Sequence, residues 1–380
     1  MDSLPQEPLF PRACRVVTSE ISARILLRKQ LLALTEWPWT IVAGDATIDP
    51  LPGAEHVQIA MRREPALADL RSFAAMRRFF RSRRFDFVQT HTPKASMLAL
   101  PAARLSGHRT IYTMHGGLYF RDNDRKANLA GWIFERWCCS WAHIVAMQSA
   151  EDVEVLVKKR ACPKRKARHL GNGIEIDHFR GDPRVRPPGK RPVVLMIARL
   201  VAEKGCLDFF AVAEALAADA DFVHVGPIEA DQSDAVDPVL IAELSRRGIV
   251  RFVGDVGDVR PALAEADLFV LPSYREGIPR AAMEAAASGL PVVAYDIRGV
   301  REVVAPGHGL LVARGDTARL IDRVRRLIAD PKALKDAAVA CRAHVLDRFD
   351  ERAVVERLRG LYAEVVGASD GSRSRAALAH

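Results

Sequence analysis

The chain has 380 residues, 49% of them hydrophobic and 27% charged, with a formal net charge of +9. This length suits two domains better than one core, and this composition excludes a disordered chain. No run of about 18 uncharged apolar residues is present, and the first residues lack the basic-then-apolar order of a secretory signal. The six cysteines show no C-x-x-C spacing, which is typical of reduced thiols, so we predict a cytoplasmic protein.

Short apolar strands alternate with amphipathic helices in the first half of the chain, the pattern of a parallel α/β sheet. The predicted strands begin at Cys14, Trp39, His56, Phe85, Arg109 and His143. A stretch dense in Pro, Gly and charge, GDPRVRPPGKRP at residues 181–192, is predicted to link two domains. We therefore predict a first domain over residues 1–182.

The alternation of strand and helix restarts after this linker. The predicted strands begin at Val193, Asp221, Val250, Asp267, Pro291 and Gly309. They define a second domain over residues 183–349, followed by a helix at about 350–367 and a disordered tail over 368–380. Doubly wound sheets bind ligands at the carboxyl ends of their strands, so we expect a substrate between two facing domains.

Positive charge is concentrated in two stretches. Residues 62–85 hold eight arginines against two acids, with apolar residues at helical spacing, and residues 157–169 read VKKRACPKRKARH. The basic 62–84 stretch is compatible with peripheral contact at the inner face of the cell membrane, and equally with a solvated helix face. No zinc-finger spacing or RNA-binding signature accompanies these stretches, so nucleic acid is not predicted as a partner.

Two cations follow the first strand of the second half. Arg199 and Lys204 lie in the strand-to-helix segment RLVAEKG, and two cations on one such loop suit a diphosphate. The segment has neither the G-x-x-x-x-G-K-[ST] of a phosphate-binding loop nor the G-x-G-x-x-G of a dinucleotide fold. These absences argue against a kinase, an ATPase or a nicotinamide enzyme.

The segment YREGIPRAAMEAAASGLPVVAYD, residues 274–296, predicts a helix of about three turns with Pro279 at its first position and Gly289 just past its end. Glu276 then faces the helix N-terminus, and Glu284 lies about 7–8 Å along the axis. Backbone N–H groups at the N-terminus suit phosphate, and a carboxylate inside the helix suits the two hydroxyls of a ribose. A solvated surface position is the alternative for Glu284.

These segments resemble the signature of family 4 retaining glycosyltransferases. The similarity lies in E-x7-E (Glu276 and Glu284) with its flanks ADLFVLPSYREG and SGLPVVA, in IARLVAEKG, and in GNGIEIDHF at 171–179. It is closer to bacterial capsular polysaccharide and lipid-carrier sugar transferases in THTPKASMLALPAARLSGHRTIYTMHG (90–116) and GPIEAD (226–231). The resemblance implies the GT-B fold, an α/β architecture of two Rossmann-like domains facing a cleft. The acceptor would bind the N-terminal domain and a nucleotide sugar the C-terminal one, with the C-terminal helix packing back on the first domain.

The resemblance also implies roles for individual residues. Arg199 and Lys204 would bind the diphosphate, Glu284 the ribose and Glu276 the hydroxyls of the donor sugar. His115 would lie near the reacting sugar, which makes His115, Glu276, Arg199 and Lys204 the predicted catalytic set. Further donor contacts would come from Phe252, Val253, Gly254, Gly277, Ile278 and Pro279. A structural histidine in a core or a turn is the alternative for His115.

The acceptor side departs from the family pattern. A Gly-rich loop is common after the first strand, but here the segment reads TSEISARILLRKQ, and we expect Ser19 and Ser22 to shape the pocket instead. His91 and Lys94 are further predicted acceptor-side residues. The DND sequence at 122–124 is interpreted as a helix cap rather than a metal site, so no metal cofactor is expected.

The predicted activity is hexosyl transfer, with retention, from a nucleotide sugar to a lipid-linked glycan intermediate of bacterial surface polysaccharide synthesis. A uridine diphosphate sugar is the donor that the resemblance implies, and guanosine stays open. Three alternatives also stay open: transfer to a soluble small molecule such as an antibiotic or inositol-type acceptor, nucleotide-sugar epimerisation, and a non-catalytic nucleotide-sugar sensor.

Overall fold

A computed structural model of the chain describes residues 12–35, 37–45, 53–61, 67–118, 125–183, 189–229, 232 and 234–377. The chain divides into two compact units. Met1–Gly171 and Val354–His380 form the first unit, and Asn172–Ala353 form the second. Each unit is built around a parallel sheet flanked by helices, which confirms the predicted α/β class.

The first unit contains a sheet in the order β3-β2-β1-β4-β5-β6-β7, with all neighbouring strands parallel. Its strands are β1 Ala13–Val16, β2 Trp39–Ala43, β3 Ala54–Gln58, β4 Phe87–Thr90, β5 Arg109–Met114, β6 Ile144–Met147 and β7 Ala167–His169. Its helices before the second unit are α1 Glu20–Ala33, α2 Asp69–Ser82, α3 Pro93–Arg104, α4 Arg125–Trp141 and α5 Ala150–Lys158.

The second unit contains a sheet in the order β10-β9-β8-β11-β12-β13, again parallel throughout. Its strands are β8 Val193–Ile197, β9 Asp221–Val225, β10 Arg251–Gly254, β11 Leu268–Leu271, β12 Val292–Tyr295 and β13 Leu311–Val312. Its helices are α6 Cys206–Ala215, α7 Pro238–Arg246, α8 Arg260–Glu265, α9 Arg280–Ala287, α10 Val300–Val303, α11 Thr317–Ala329 and α12 Pro331–Arg348. The last helix of the chain is α13 Glu351–Ala377.

Strands β1, β2, β6 and β11 are buried along their whole length because helices cover both sides of each sheet, and this explains their largely apolar sequences. In the first unit, α1 and α13 pack on one face, and α2, α3 and α4 pack on the other. The guanidinium of the fully buried Arg15 donates to the hydroxyl of Tyr362 on α13 (2.6 Å), and that hydroxyl donates to Gln89 (2.7 Å). These bonds hold α13 against the sheet.

The structure places the boundary between the units before the predicted linker. Ile174, Ile176 and Phe179 are buried in the core of the second unit, and the Gly181 amide donates to the Ala287 carbonyl (3.3 Å). Residues 172–182 therefore belong to the second unit rather than to a first domain ending at 182. The second unit likewise ends at Ala353 rather than at residue 349.

Two further differences concern regular elements. Strand β7, three residues long and partly exposed at the sheet edge, was not among the predicted strands. Helix α13 continues to Ala377, through most of the predicted disordered tail, and residues 378–380 lie outside the described part. No helix within the described residues is both long and apolar enough to cross a membrane.

Candidate donor and acceptor sites

The first loop of the candidate donor site follows β8 and carries Arg199 and Lys204. Lys204 ends a short 3-10 turn, after which Gly205 adopts a left-handed backbone (φ 75°) and leads into α6. A Cβ atom on Gly205 would lie 1.9 Å from the carbonyl oxygen of Pro272. Glycine is therefore required where this loop approaches the loop after β11.

Lys204 is paired with a carboxylate from that neighbouring loop. Its Nζ lies 2.8 Å from Oε1 of Glu276, and the two side chains are only 18% and 11% exposed. Charges in such a poorly solvated position interact more strongly than on the surface, although both lose hydration. The structure thus brings together the residue assigned to the diphosphate and the residue assigned to the donor sugar.

Arg199 has a different partner and is more exposed to solvent than Lys204. Its Nη1 lies 2.6 Å from Oε2 of Glu229, with the side chains 43% and 32% exposed. An ion pair as accessible as this contributes little free energy, about 0–1 kcal/mol. Little free energy would therefore be lost if Arg199 left Glu229 to bind a phosphate group of a ligand.

The helix after β11 begins one residue later and is shorter than predicted. Pro279 is the residue before α9, with an extended backbone, and α9 spans the eight residues Arg280–Ala287. Glu284 lies on its fifth residue and is buried, and Nε of Arg280 donates to its Oε1 (2.8 Å). A solvated position for Glu284 is therefore excluded, because α9 is buried from Ala282 to Ala287 and Glu284 lies within that stretch.

The loop between Glu276 and α9 is fixed by its backbone. A Cβ on Gly299, whose φ is 76°, would lie 1.4 Å from the carbonyl oxygen of Gly277. Nη2 of the buried Arg298 donates to the Glu276 carbonyl (3.3 Å), and Ile278 is buried in the core. The amides that precede α9 are thereby held in place before any ligand arrives, as an anion site at a helix N-terminus requires.

The predicted base-contacting residues lie at the end of β10. Phe252 is partly buried, with its ring 5.6 Å from that of Phe210 and 5.9 Å from that of His224. Val253 is exposed, and Gly254 has a left-handed backbone and accepts a hydrogen bond from the Gly226 amide (2.8 Å). This arrangement puts an apolar side chain and a tight turn at the end of β10, where the base of the donor is predicted to bind.

The candidate acceptor site in the first unit contains a histidine pair. Nδ1 of His91, after β4, lies 3.2 Å from Nε2 of His115, after β5. Burial lowers the pKa of His115 to about 4, although a hydrogen bond from its ring to the Gln148 side chain opposes the shift, and burial lowers the pKa of His91 well below its usual value. The positive charge of Arg15 lowers both pKa values further. Both rings are therefore neutral at pH 7, and one donates its N–H to the other.

The remaining acceptor-side residues make local contacts. Ser19 is the N-cap of α1, and its Oγ accepts from the Ser22 amide (3.4 Å) and lies 2.9 Å from the Ser22 Oγ. Lys94 is buried at the start of α3, with its ammonium against the carboxylate of Asp69. The structure therefore brings His91 next to His115, whereas the charge of Lys94 is directed to Asp69.

Metal ligation has no candidate within the described part of the chain, where no three His, Cys, Asp or Glu side chains cluster suitably. The DND sequence at 122–124 lies outside the described residues.

Two family matches cover most of the chain. The family described as "Glycosyl transferases group 1" matches residues 191–330, and "Glycosyltransferase Family 4" matches residues 42–178. The first match contains the loops of Arg199, Lys204 and Glu276, and the second contains the histidine pair. The chain is a family 4 glycosyltransferase.

The individual relatives of this glycosyltransferase have low sequence identity to it. It is 26% identical over 318 residues to the UDP-Gal:alpha-D-GlcNAc-diphosphoundecaprenol alpha-1,3-galactosyltransferase of Escherichia coli, covering 79% of this chain and 81% of that one. It is also 26% identical over 333 residues to the N,N'-diacetylbacillosaminyl-diphospho-undecaprenol alpha-1,3-N-acetylgalactosaminyltransferase of Campylobacter jejuni, covering 79% and 84%. The fold matches that of Anabaena HepE, solved with UDP-glucose, with a TM-score of 0.75 at 19% identity over 94% of this chain and 100% of that one. These similarities agree with the predicted GT-B fold.

Sequence reasoning missed several residues that fix loops and strand ends of the second unit. Arg298 and Gly299 fix the loop of Glu276, and the only sequence signal is an Arg-Gly pair just after β12. Asp208 on α6 accepts from Tyr295 (2.9 Å) and from Thr317 (2.5 Å). These bonds join elements far apart in sequence, so no local pattern shows them.

His224 gives the glycosyltransferase a testable dependence of stability on pH. Neither ring nitrogen has a hydrogen-bond partner within the described structure, and burial lowers the pKa of His224 to about 4. Below about pH 6.5, His224 is therefore protonated in the unfolded chain but stays neutral in the folded chain. Its neutral burial costs no stability above this pH, and the folded state loses stability as the pH falls toward 4. Lowering the pH from about 7.5 to about 5 should reduce the unfolding free energy of both proteins. We expect this reduction to be about 2 kcal/mol smaller in His224→Leu than in the parent.

Urea unfolding of the second unit, followed at both pH values, measures this difference. The matched control is His308→Gln, on the surface of the same unit. An equal pH dependence in the parent and in His224→Leu would contradict the argument.

Proposed function

We propose that the chain is a retaining glycosyltransferase that moves a hexose from a uridine diphosphate sugar to a hydroxyl of a lipid-linked glycan intermediate in bacterial surface polysaccharide synthesis. The observation that carries this proposal is the partly buried Lys204–Glu276 pair beside the N-terminus of α9, with Glu284 buried inside that helix. The Escherichia coli relative, whose name specifies UDP-Gal and a diphosphoundecaprenol acceptor, supports the donor and acceptor classes.

The chemistry of transfer suits this set of charges. As the bond between the anomeric carbon and the diphosphate breaks, the carbon becomes oxocarbenium-like and the diphosphate gains negative charge. Lys204, Arg199 and the backbone N–H groups before α9 are fixed donors for that charge, and preorganised donors of this kind commonly dominate catalysis. Glu276 would bind hydroxyls of the donor sugar and Glu284 those of the ribose.

Retention is proposed to follow from attack on the same face of the sugar. The acceptor oxygen forms the new bond to the anomeric carbon on the side from which the diphosphate leaves, and its proton passes to a leaving phosphate oxygen. No protein nucleophile is required for this step. His115, with its pKa lowered to about 4, is neutral and suited to a hydrogen bond with the sugar rather than to a charge contact.

We also propose that transfer occurs at the inner face of the cell membrane without a metal ion. The two cations and the helix N-terminus supply the positive charge that a divalent ion would otherwise bring to the diphosphate. For the peripheral contact, α2 supplies Arg77, Arg78 and Arg81, which are all exposed, beside the exposed Leu70.

Incubation with a panel of nucleotide sugars and a short-chain lipid diphosphate glycan tests the proposal. We expect transfer to the lipid-linked acceptor from a uridine diphosphate sugar, with retained anomeric configuration by NMR and with full activity in excess chelator. Turnover of the donor alone to an epimer, transfer only to soluble acceptors, or donor binding without turnover would each contradict the proposal. Activity that chelator abolishes and magnesium restores would contradict the metal-free arrangement.

A further inference from the structure

The outer face of α4 carries an apolar stripe. Leu129, Ile133 and Trp137 are 58%, 54% and 45% exposed. Their spacing of four residues puts them on one side of the helix, over about 12 Å of its length. Trp141 continues the stripe, with its ring 5.6 Å from that of Trp137. A contiguous exposed patch of large apolar side chains such as this indicates an interaction surface.

A cationic segment lies along the flank of this stripe. Residues 158–166 contain six Lys or Arg residues and no acid. Nε1 of Trp132 donates to the Lys159 carbonyl (3.4 Å), Arg136 donates to the Arg160 carbonyl (2.9 Å), and Nζ of Lys166 donates to the Ala142 carbonyl (2.6 Å). These bonds hold the segment beside α4 along much of its length. Five of its six cations are exposed, namely Lys158, Lys159, Arg160, Lys164 and Arg165.

The charge of this surface distinguishes between the occupants that an apolar stripe can have. A second copy of the chain, docked symmetrically on the same stripe, would bring two cationic segments toward each other, and this repulsion opposes association. An anionic phospholipid surface complements the segment. Tryptophan is enriched at the level of lipid headgroups, where its apolar ring and its N–H group both find suitable surroundings.

The position of α4 in the first unit agrees with such a surface. Helices α2, α3 and α4 pack side by side on one face of the sheet, so α4 shares its layer with the exposed arginines of α2. Helix α4 also follows the His115 loop in the chain. A membrane along α4 would thus lie on the side of the unit that already carries the basic α2 surface.

We propose that the α4 stripe and the 158–166 segment together form a face that docks on an anionic phospholipid surface, with Trp137 inserted at the level of the headgroups. The inference rests on the proposed lipid-linked acceptor. It assigns the apolar, inserting part of the contact to α4 and the purely electrostatic part to α2 and residues 158–166. Apolar burial of this kind adds to the attraction between basic residues and anionic lipids.

Vesicle sedimentation of the full chain tests the face. We expect binding to vesicles of phosphatidylglycerol and phosphatidylcholine, and weak binding to phosphatidylcholine alone. Ile133→Ser with Trp137→Ser should weaken binding to the anionic vesicles by about tenfold, because two inserted side chains are lost. Lys164→Glu with Arg165→Glu should weaken binding by a similar factor and flatten its salt dependence. Val239→Ser is the matched control, because Val239 is 72% exposed on α7 of the second unit and should not affect binding.

Depth-dependent quenching locates the contact. Vesicles whose acyl chains carry bromine near the headgroup should quench tryptophan fluorescence of the parent chain. Trp137→Phe retains an aromatic side chain for insertion but removes the fluorophore, so we expect it to bind vesicles normally and to lose most of the quenching. Unchanged quenching in Trp137→Phe would overturn the insertion of this residue.

Other outcomes overturn the docking face itself. Equal binding to neutral and anionic vesicles, or unchanged binding by the double serine variant, would do so. A dimer in sedimentation velocity that the double serine variant abolishes would assign the stripe to a second copy instead. The proposed function is tested separately, with donor and detergent-dispersed acceptor, where the double serine variant should retain parental turnover. Loss of vesicle binding with normal turnover there supports the face, whereas vesicle binding without any transfer contradicts the function alone.

Discussion

Replacing Lys204 by Ala is expected to lower the rate of sugar transfer by on the order of a hundredfold while the chain remains folded. Lys204 is 18% exposed, and its ammonium is held between the loops that follow β8 and β11. In the proposed mechanism, a fixed cation at this place would stabilise the charge that the diphosphate gains in the transition state. Steady-state transfer with saturating donor and acceptor measures the effect, and circular dichroism checks the fold.

Arg199→Ala should lower transfer as well, but by less, because Arg199 is more exposed and its charge is better screened. The matched control is Arg191→Ala. Arg191 precedes β8, at the opposite end of the strand from Arg199, and is similarly exposed in a comparable ion pair with Asp221. If Arg199→Ala and Lys204→Ala both transfer sugar as fast as Arg191→Ala does, the assignment of these two cations to the diphosphate is wrong.

The Lys204–Glu276 pair adds a complication that a double variant resolves. Lys204→Ala alone leaves the Glu276 carboxylate nearly buried without its cation, and an uncompensated buried charge is itself harmful. Lys204→Ala combined with Glu276→Gln removes that charge. If Lys204 acts on the diphosphate, the double variant stays at least as slow as Lys204→Ala. Recovery toward parental transfer would mean that the single variant failed only because Glu276 was left unpaired.

The fold of each unit could be predicted from the sequence because its signal is local. Strands such as Ile144–Met147 and Val193–Ile197 are short apolar runs, and burial on both faces makes that pattern continuous. Strand β7 gave no such signal, because it has three residues and lies partly exposed at a sheet edge. The boundary at Gly171 was missed because the linker-like composition begins only after residues that pack into the second core.

The contacts of the candidate site were less predictable, because they depend on where loops meet. The sequence places Lys204 and Glu276 at two strand ends, but their ion pair requires the close approach that Gly205 permits. Lys94 is predicted on the acceptor side. Its charge is matched by Asp69 at the start of α2, and no spacing along the chain indicates that contact.

Glu284→Gln is expected to weaken binding of free uridine diphosphate and of the intact donor alike, by roughly ten- to hundredfold. Glu284 is buried inside α9, on the nucleotide side of the proposed diphosphate position, and its carboxylate would accept hydrogen bonds from the ribose hydroxyls. Gln keeps the shape and removes the charge, so the loss of a charged acceptor, worth about 1.5–3 kcal/mol, should dominate. Isothermal titration calorimetry with each ligand measures both affinities.

Two variants show whether this loss belongs to the carboxylate itself. Arg280→Gln removes the cation that donates to Glu284 (2.8 Å) but keeps the carboxylate, so nucleotide binding should remain near normal. Glu243→Gln removes an exposed carboxylate on α7 that is likewise paired with an arginine four residues away, Arg247, and should have no effect on binding. Weakened binding in Arg280→Gln equal to that in Glu284→Gln would assign the effect to the helix surface rather than to the ribose.

Glu276→Gln should separate the sugar side from the nucleotide side. Its carboxylate is assigned to the hydroxyls of the donor sugar, so transfer should fall by on the order of a hundredfold. Free uridine diphosphate should bind as well as to the parent or more tightly, because Lys204 loses the carboxylate at 2.8 Å that competes with phosphate for its ammonium. The same calorimetric titration measures this, and a gain would also confirm that Lys204 faces the diphosphate. If Glu276→Gln instead weakens uridine diphosphate binding as much as Glu284→Gln does, the two glutamates do not lie on opposite sides of the diphosphate.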